Sequence, residues 1–135
     1  MSGGDFTNAG RVSTAIKAML KAVGYPSDVI RRLAIATYEA EMNVVMYARH
    51  GRLALTLDPE HIRVVLQDEG PGIPDIPLAM QEGYSTATDE MRERGFGAGM
   101  GLPNIRRNTD HFEITSEVGR GTRLEFTVQA TGAPA

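Results

Sequence analysis

Glu39 and Asn43 lie four residues apart in a stretch that reads as helical, which puts both side chains on one helix face. A carboxylate beside a carboxamide offers oxygen ligands to a hydrated magnesium ion, and the carboxamide does so without demanding a counter-charge. The carboxylate can also orient or deprotonate a nucleophile. Taken alone, such a pair is usually a solvated face. Here its neighbours Met42, Val44 and Val45 are apolar, so the helix reads as largely buried, where polar groups need partners. Glu41 adds a second carboxylate, but two positions from Glu39 it should point elsewhere.

Three glycine-containing segments follow. In Asp68-Glu69-Gly70-Pro71-Gly72-Ile73 an acid at a strand end can accept a hydrogen bond from an exocyclic amine such as that of adenine. Its two glycines would let backbone approach a flat ring. The simpler reading is a strand and a surface turn. In Gly95-Phe96-Gly97-Ala98-Gly99-Met100-Gly101-Leu102, glycines alternate ahead of a predicted helix. Free N–H groups and a helix N-terminus suit phosphate oxygens. The segment lacks the Lys and Ser/Thr of a P-loop, and no parallel βαβ unit surrounds it, so it is no Rossmann fingerprint. A flexible surface loop competes with the phosphate reading. The last segment, Ser116 to Thr122, is a Gly-rich hairpin turn in any reading, and Thr122 could complete the floor of a nucleotide pocket.

The elements that must position these groups follow from periodicity. Val12, Ile16, Met19, Leu20 and Val23 predict a helix over 8–23, stopped by Gly24. A second helix starts after Tyr25-Pro26, capped by Ser27 or Asp28, and runs through Ile30, Leu33, Ala40 and Val44 until Gly51 ends it. Leu53, Leu55 and Leu57 alternate as in a half-buried strand. Ile62–Leu66 is a central strand, paired antiparallel through the turn at Asp58-Pro59-Glu60. A short helix over 76–81, a mobile loop over 83–99 and a helix over 102–108 precede a hairpin of 112–116 with 122–128. Leu124, Phe126 and Val128 point one way in that hairpin. The expected fold is α+β: a two-layer sandwich with a mixed, mainly antiparallel sheet covered on one face by helices.

The composition sets outer bounds. The chain has 135 residues, 41% hydrophobic and 23% charged, enough for one soluble domain with a real core. We divide it into 1–7, a flexible N-terminus or remnant edge strand; 8–129, a single domain; and 130–135, a flexible tail. A net charge of −3 weighs against nucleic acid as a partner. With no cysteine there is no disulfide, thiolate nucleophile or thiolate metal site. No secretory signal and no apolar run of ~18 residues is visible, so no membrane span is expected and the cytoplasm is the simplest location.

The ordered series Glu-x-x-x-Asn, Asp-x-Gly-x-Gly, a Gly-rich segment ending Gly-x-Gly-Leu, and Gly-x-Gly-Thr resembles the motif set of the GHKL ATPases and kinases. That superfamily shares the Bergerat ATP-binding fold, and the match runs from about Arg31 to Val128. The resemblance implies ATP and magnesium as cofactors. It implies that Glu39 is the catalytic carboxylate and that Asn43 ligates the metal. Asp68 would bond the adenine amine, with Gly70, Gly72 and Ile73 lining the pocket and Thr122 supporting it through Asp68 or a water. Thr86, Gly97, Ala98, Gly99, Met100, Gly101 and Leu102 would form the lid over the phosphates. Glu82-Gly83-Tyr84-Ser85-Thr86 followed by Gly95 to Pro103 is similar to the lid of the small serine/threonine switch kinases that phosphorylate STAS-domain antagonists.

The resemblance therefore implies a protein kinase whose partners are a STAS-type antagonist and a sigma factor or other switch target, with a homodimer as one option. Two other readings stay open: a module that holds a partner with ATP as a structural ligand, and a stand-alone ATPase domain of histidine-kinase type. His50, His61 and His111 read as surface residues rather than phosphoacceptors. The first strand usual in the family is shortened or missing before Phe6.

Overall fold

The structure, a computed structural model, describes residues 1–81 and 101–130. A 3₁₀ turn at Phe6–Asn8 leads into α1 (Arg11–Val23) and α2 (Ser27–Tyr47). Then come β1 (His50–Leu57), β2 (His61–Glu69), the short α3 (Ile76–Ala79), α4 (Gly101–Arg107), β3 (His111–Glu117) and β4 (Gly121–Gln129). The sheet order is β1-β2-β4-β3, and every pairing among the described strands is antiparallel. One sheet face carries helices and the other faces solvent, the α+β sandwich that the periodicities require.

Strand period explains the layering. Ile62, Val64 and Leu66 of β2 and Leu124, Phe126 and Val128 of β4 are buried, and β2–β4 register sets Leu66 opposite Leu124 and Val64 opposite Phe126. Against these rows lies α2, whose Val29, Leu33, Ala36, Ala40 and Val44 have no exposed surface. Their helical spacing makes one stripe, and the two alanines let the helix sit close to the strands. α1 packs beside α2 through Ile16 and Leu20, and α4 through Leu102 and Ile105. Phe126 is the largest fully buried side chain, and burying it contributes about 3 kcal/mol.

Several boundaries differ from the periodic expectation. Asn8 belongs to the 3₁₀ turn, and α1 begins only at Arg11, because Gly10 at φ 92° breaks the path. Neither Ser27 nor Asp28 caps α2: Pro26 occupies the N-cap position, and no side chain bonds there. Asp28 instead sits in the first turn, where the helix dipole favours a carboxylate. Gly51 does not end α2 but lies inside β1; a Cβ there would come within 2.8 Å of Val44 Cγ2, so glycine lets the strand pass the helix closely. At the chain start Ser2 forms an isolated antiparallel bridge with His50, and the Gly3 N–H donates to Arg49 O at 2.7 Å. Ala130 is buried and its N–H donates to Glu60 O at 2.7 Å. No helix among the described residues is long and apolar enough to cross a membrane.

Candidate functional site

On three of the four strands, β2, β3 and β4, the helix-facing row ends in a polar residue at the same end of the sheet. Phase alone places them: Asp68 continues Ile62, Val64 and Leu66; Thr122 precedes Leu124 and Phe126; Ser116 follows Phe112 and Ile114. Ser116 pairs with Thr122 across β3 and β4. The Thr122 N–H donates to Asp68 Oδ1 at 3.0 Å, and the Ser116 and Thr122 hydroxyls meet at 2.9 Å. The Ile73 N–H donates to Ser116 Oγ at 2.7 Å, which ties the loop after β2 to the hairpin. Burial pushes the Asp68 carboxyl above its ordinary value, and the Thr122 amide pulls it part of the way back. With one oxygen held by backbone, Asp68 keeps acceptor capacity for a ligand donor.

Of the two glycines after β2, Gly72 is sterically required and Gly70 is tightly packed. Gly72 has φ 76° and its absent Cβ would stand 2.5 Å from Glu117 O, so the loop touches the hairpin only without a side chain. A Cβ on Gly70 would lie 3.0 Å from Ala48 Cα and 3.5 Å from Asp68 Oδ1, where the end of β2 crosses the end of α2. A cavity of about 650 Å³ reaches Asp68, Ser116 and Thr122, but its other lining residues, among them Arg49, Gln67, Glu69 and Arg123, belong to the solvent side of the sheet. It bounds the Asp68 end and does not reach Glu39 or Asn43.

Those two residues face α4. A Cβ built on Gly101 would stand 3.4 Å from Asn43 Oδ1 and 3.5 Å from Glu39 Oε2, so the last glycine of the alternating run sits over the Glu39–Asn43 face. Burial raises the Glu39 carboxyl above its ordinary value, opposed by a hydrogen bond from Asn104. Asn104 Nδ2 donates to Glu39 Oε1 at 3.3 Å. Sequence reasoning missed Asn104, although its spacing of three from Gly101 was the signal that both share a helix face. Leu102 is buried in the core and anchors α4. Glu41 points away from Glu39, as the spacing requires, into the N-terminus of α1. Among the described residues no group of three or more His, Cys, Asp or Glu could hold a metal. A magnesium ion carried mainly by substrate phosphates needs only one or two protein oxygens, so Asn43 with Glu39 beside it fits such a site.

Thr86, Gly97, Ala98, Gly99 and Met100, and with them the lid expected over 83–99, lie outside the described residues. The three histidines are exposed; His50 pairs with Glu69 at 2.9 Å and His111 with Glu113 at 3.2 Å.

Comparison with known proteins gives concordant matches. The chain is 30% identical over 109 residues to the serine/threonine-protein kinase RsbT of Bacillus subtilis, covering 78% of this chain and 76% of that protein. It is 29% identical over 120 residues to an anti-sigma F factor of Caldanaerobacter subterraneus, covering 84% of this chain and 80% of the other. Among solved structures, the mycobacterial sensor histidine kinase MprB aligns with a TM-score of 0.53 at 20% identity, over 74% of this chain and 71% of that one, a likeness of fold. Residues 5–128 match the histidine kinase-like ATPase domain, and with nearly the whole chain inside that match the protein belongs to this family.

Proposed function

We propose that the chain is an ATP-dependent serine/threonine protein kinase that acts as a regulatory switch, phosphorylating a STAS-type antagonist protein, binding a sigma factor or similar target, or both. The observation that carries this reading is the Glu39 carboxylate. It is half-buried, its Oε1 engages one amide, and its Oε2 lies beside Asn43 and Gly101. The similarity to RsbT and to anti-sigma F factors, proteins named as a serine/threonine kinase and as sigma-factor antagonists, supports it.

In this reading Asp68 accepts the adenine amine through the oxygen that Thr122 leaves free, while Gly70 and Gly72 let the loop after β2 pack against the end of α2 and the hairpin, which sets the wall beside the ring. Asn43 supplies an oxygen to magnesium, which when bound offsets charge on the phosphates. Glu39 orients the serine or threonine hydroxyl of the partner and takes its proton as the new O–P bond forms and the bond to the ADP oxygen breaks. Positioning and electrostatics carry most of such a transfer. Burial favours the neutral form of Glu39, so a base that must be ionised works only above the ordinary carboxylate range.

The test is transfer of labelled γ-phosphate from Mg-ATP to STAS-domain proteins of the same genome, assayed one at a time. Acid-stable phosphoserine or phosphothreonine, lost in Glu39→Ala, is the expected result. Mg-ATP binding without transfer to any of them would leave a partner-holding module. Acid-labile phosphate would point to the histidine-kinase type.

A further inference from the structure

The two oxygens of Glu39 are not equivalent. Oε1 accepts the Asn104 amide, while Oε2 lies on the Gly101 side, 3.5 Å from where a side chain at that position would begin. The last torsion of a glutamate is soft and roughly two-fold, so a half-buried carboxylate without a donor has no fixed orientation. Asn104 supplies a donor on a rigid mount. Its helix is pinned in the core by Leu102 and Ile105, and its own carbonyl accepts the Asn108 amide at 2.8 Å. An asparagine sets direction without adding a charge beside the carboxylate.

We infer that Asn104 is a positioning residue: by holding Glu39 Oε1 it presents Oε2 toward Gly101 and Asn43, where the hydroxyl of the protein acceptor gives up its proton. This rests on the kinase reading above. It also makes the readiness of Glu39 depend on the seating of α4, because Asn104 and Gly101 share one face of that helix. Asn104 touches neither nucleotide nor acceptor in this scheme and acts only through Glu39.

A double-mutant cycle tests it. Asn104→Leu, Glu39→Gln and the combined variant are compared with wild type for phosphate transfer to the STAS-domain acceptor at saturating Mg-ATP, and for Mg-ATP affinity by calorimetry. Asn104→Leu should slow transfer roughly tenfold, the scale of a misoriented reacting group, with its Kd for Mg-ATP within about twofold of wild type. In the Glu39→Gln background the same change should do nothing further. Asn104→Asp, of the same shape but without the N–H donor, should be at least as slow, and it carries the test should the leucine variant fail to fold. A full additional loss in the Glu39→Gln background, or an aspartate variant as fast as wild type, overturns the inference and leaves the kinase reading standing. Wild type that binds Mg-ATP but phosphorylates no acceptor overturns the kinase reading itself, and the role of Asn104 with it.

Discussion

Two glutamates on one helix, two residues apart, have opposite fates. Glu41 is 2% exposed and accepts three backbone N–H groups, from Gly10 and Val12 at 3.2 Å and from Ser13 at 3.0 Å. α1 begins after a glycine and has no capping side chain of its own, so a carboxylate from the neighbouring helix fills the role, aided by the helix dipole. Glu39, about 200° around the helix, engages one amide among the described residues, at 3.3 Å, and is only half-buried. A carboxylate whose acceptor sites are taken by backbone is fixed and serves structure. One whose second oxygen has no hydrogen-bond donor among the described residues retains the capacity for chemistry. The type and spacing of the residues do not separate the two; their partners do.

The sharpest break of that comparison is Glu41→Ala. It would strand three N–H groups at a buried helix end, and we expect a loss of about 3 kcal/mol in unfolding free energy, read by urea titration. Glu41→Gln, which retains one acceptor oxygen, should cost less. A loss under ~0.5 kcal/mol for the alanine, the size of an ordinary surface change, would mean that α1 is held by its apolar face alone.

Asp68→Asn probes the other polar end. The asparagine oxygen can still accept the Thr122 N–H, so stability should hardly move. Mg-ATP binding, measured by calorimetry, should weaken by about 2 kcal/mol, the worth of a hydrogen bond to a charged group. Unchanged affinity would reduce Asp68 to the end of a strand. Gly101→Ala is gentler. Its methyl would meet Asn43 and Glu39 at 3.4 and 3.5 Å, ordinary contact distances that folding tolerates. It fills the gap between them, so Mg-ATP affinity should fall by about 1.4 kcal/mol, roughly tenfold, with stability equal or slightly higher.

What could be read from the chain was what local periodicity encodes. The nearly continuous apolar run Ile62–Leu66 reads as a central strand and Leu124, Phe126 and Val128 as one buried row, and the strand period from these carries Asp68 and Thr122 onto the helix side where a ligand could meet them. The four-residue spacing did the same for Glu39 and Asn43. What could not be read was tertiary. Glu41 and Ser13 are 28 residues apart, Glu39 and Asn104 are 65 apart, and no local pattern pairs them. Gly51 looked like a helix terminator because glycine usually punctuates; its reason here is the approach of Val44 from another element.

The smallest effect expected is the stability of Glu39→Gln as a function of pH, and its sign is set by the burial of Glu39. Because burial raises the folded-state pKa, the unfolded chain ionises first as pH rises. Between the ordinary carboxylate value and the raised one, the folded state holds more protons, and stability falls with rising pH. Wild type therefore loses at neutral pH a small increment that Glu39→Gln keeps, so the variant should be more stable near pH 7 and equal to wild type at acid pH. Solvent screening of a half-buried group keeps the difference under about 1 kcal/mol. The window is distinct from that of the surface carboxylates. Asp58, held low by the His61 and Glu60 amides, and Glu125, held low by Arg63, lose their contributions only as pH falls through their depressed values. Unfolding curves of the two proteins that run parallel from pH 4 to pH 8 would show that Glu39 ionises as freely when folded as when unfolded, and that its burial does not reach its protonation equilibrium.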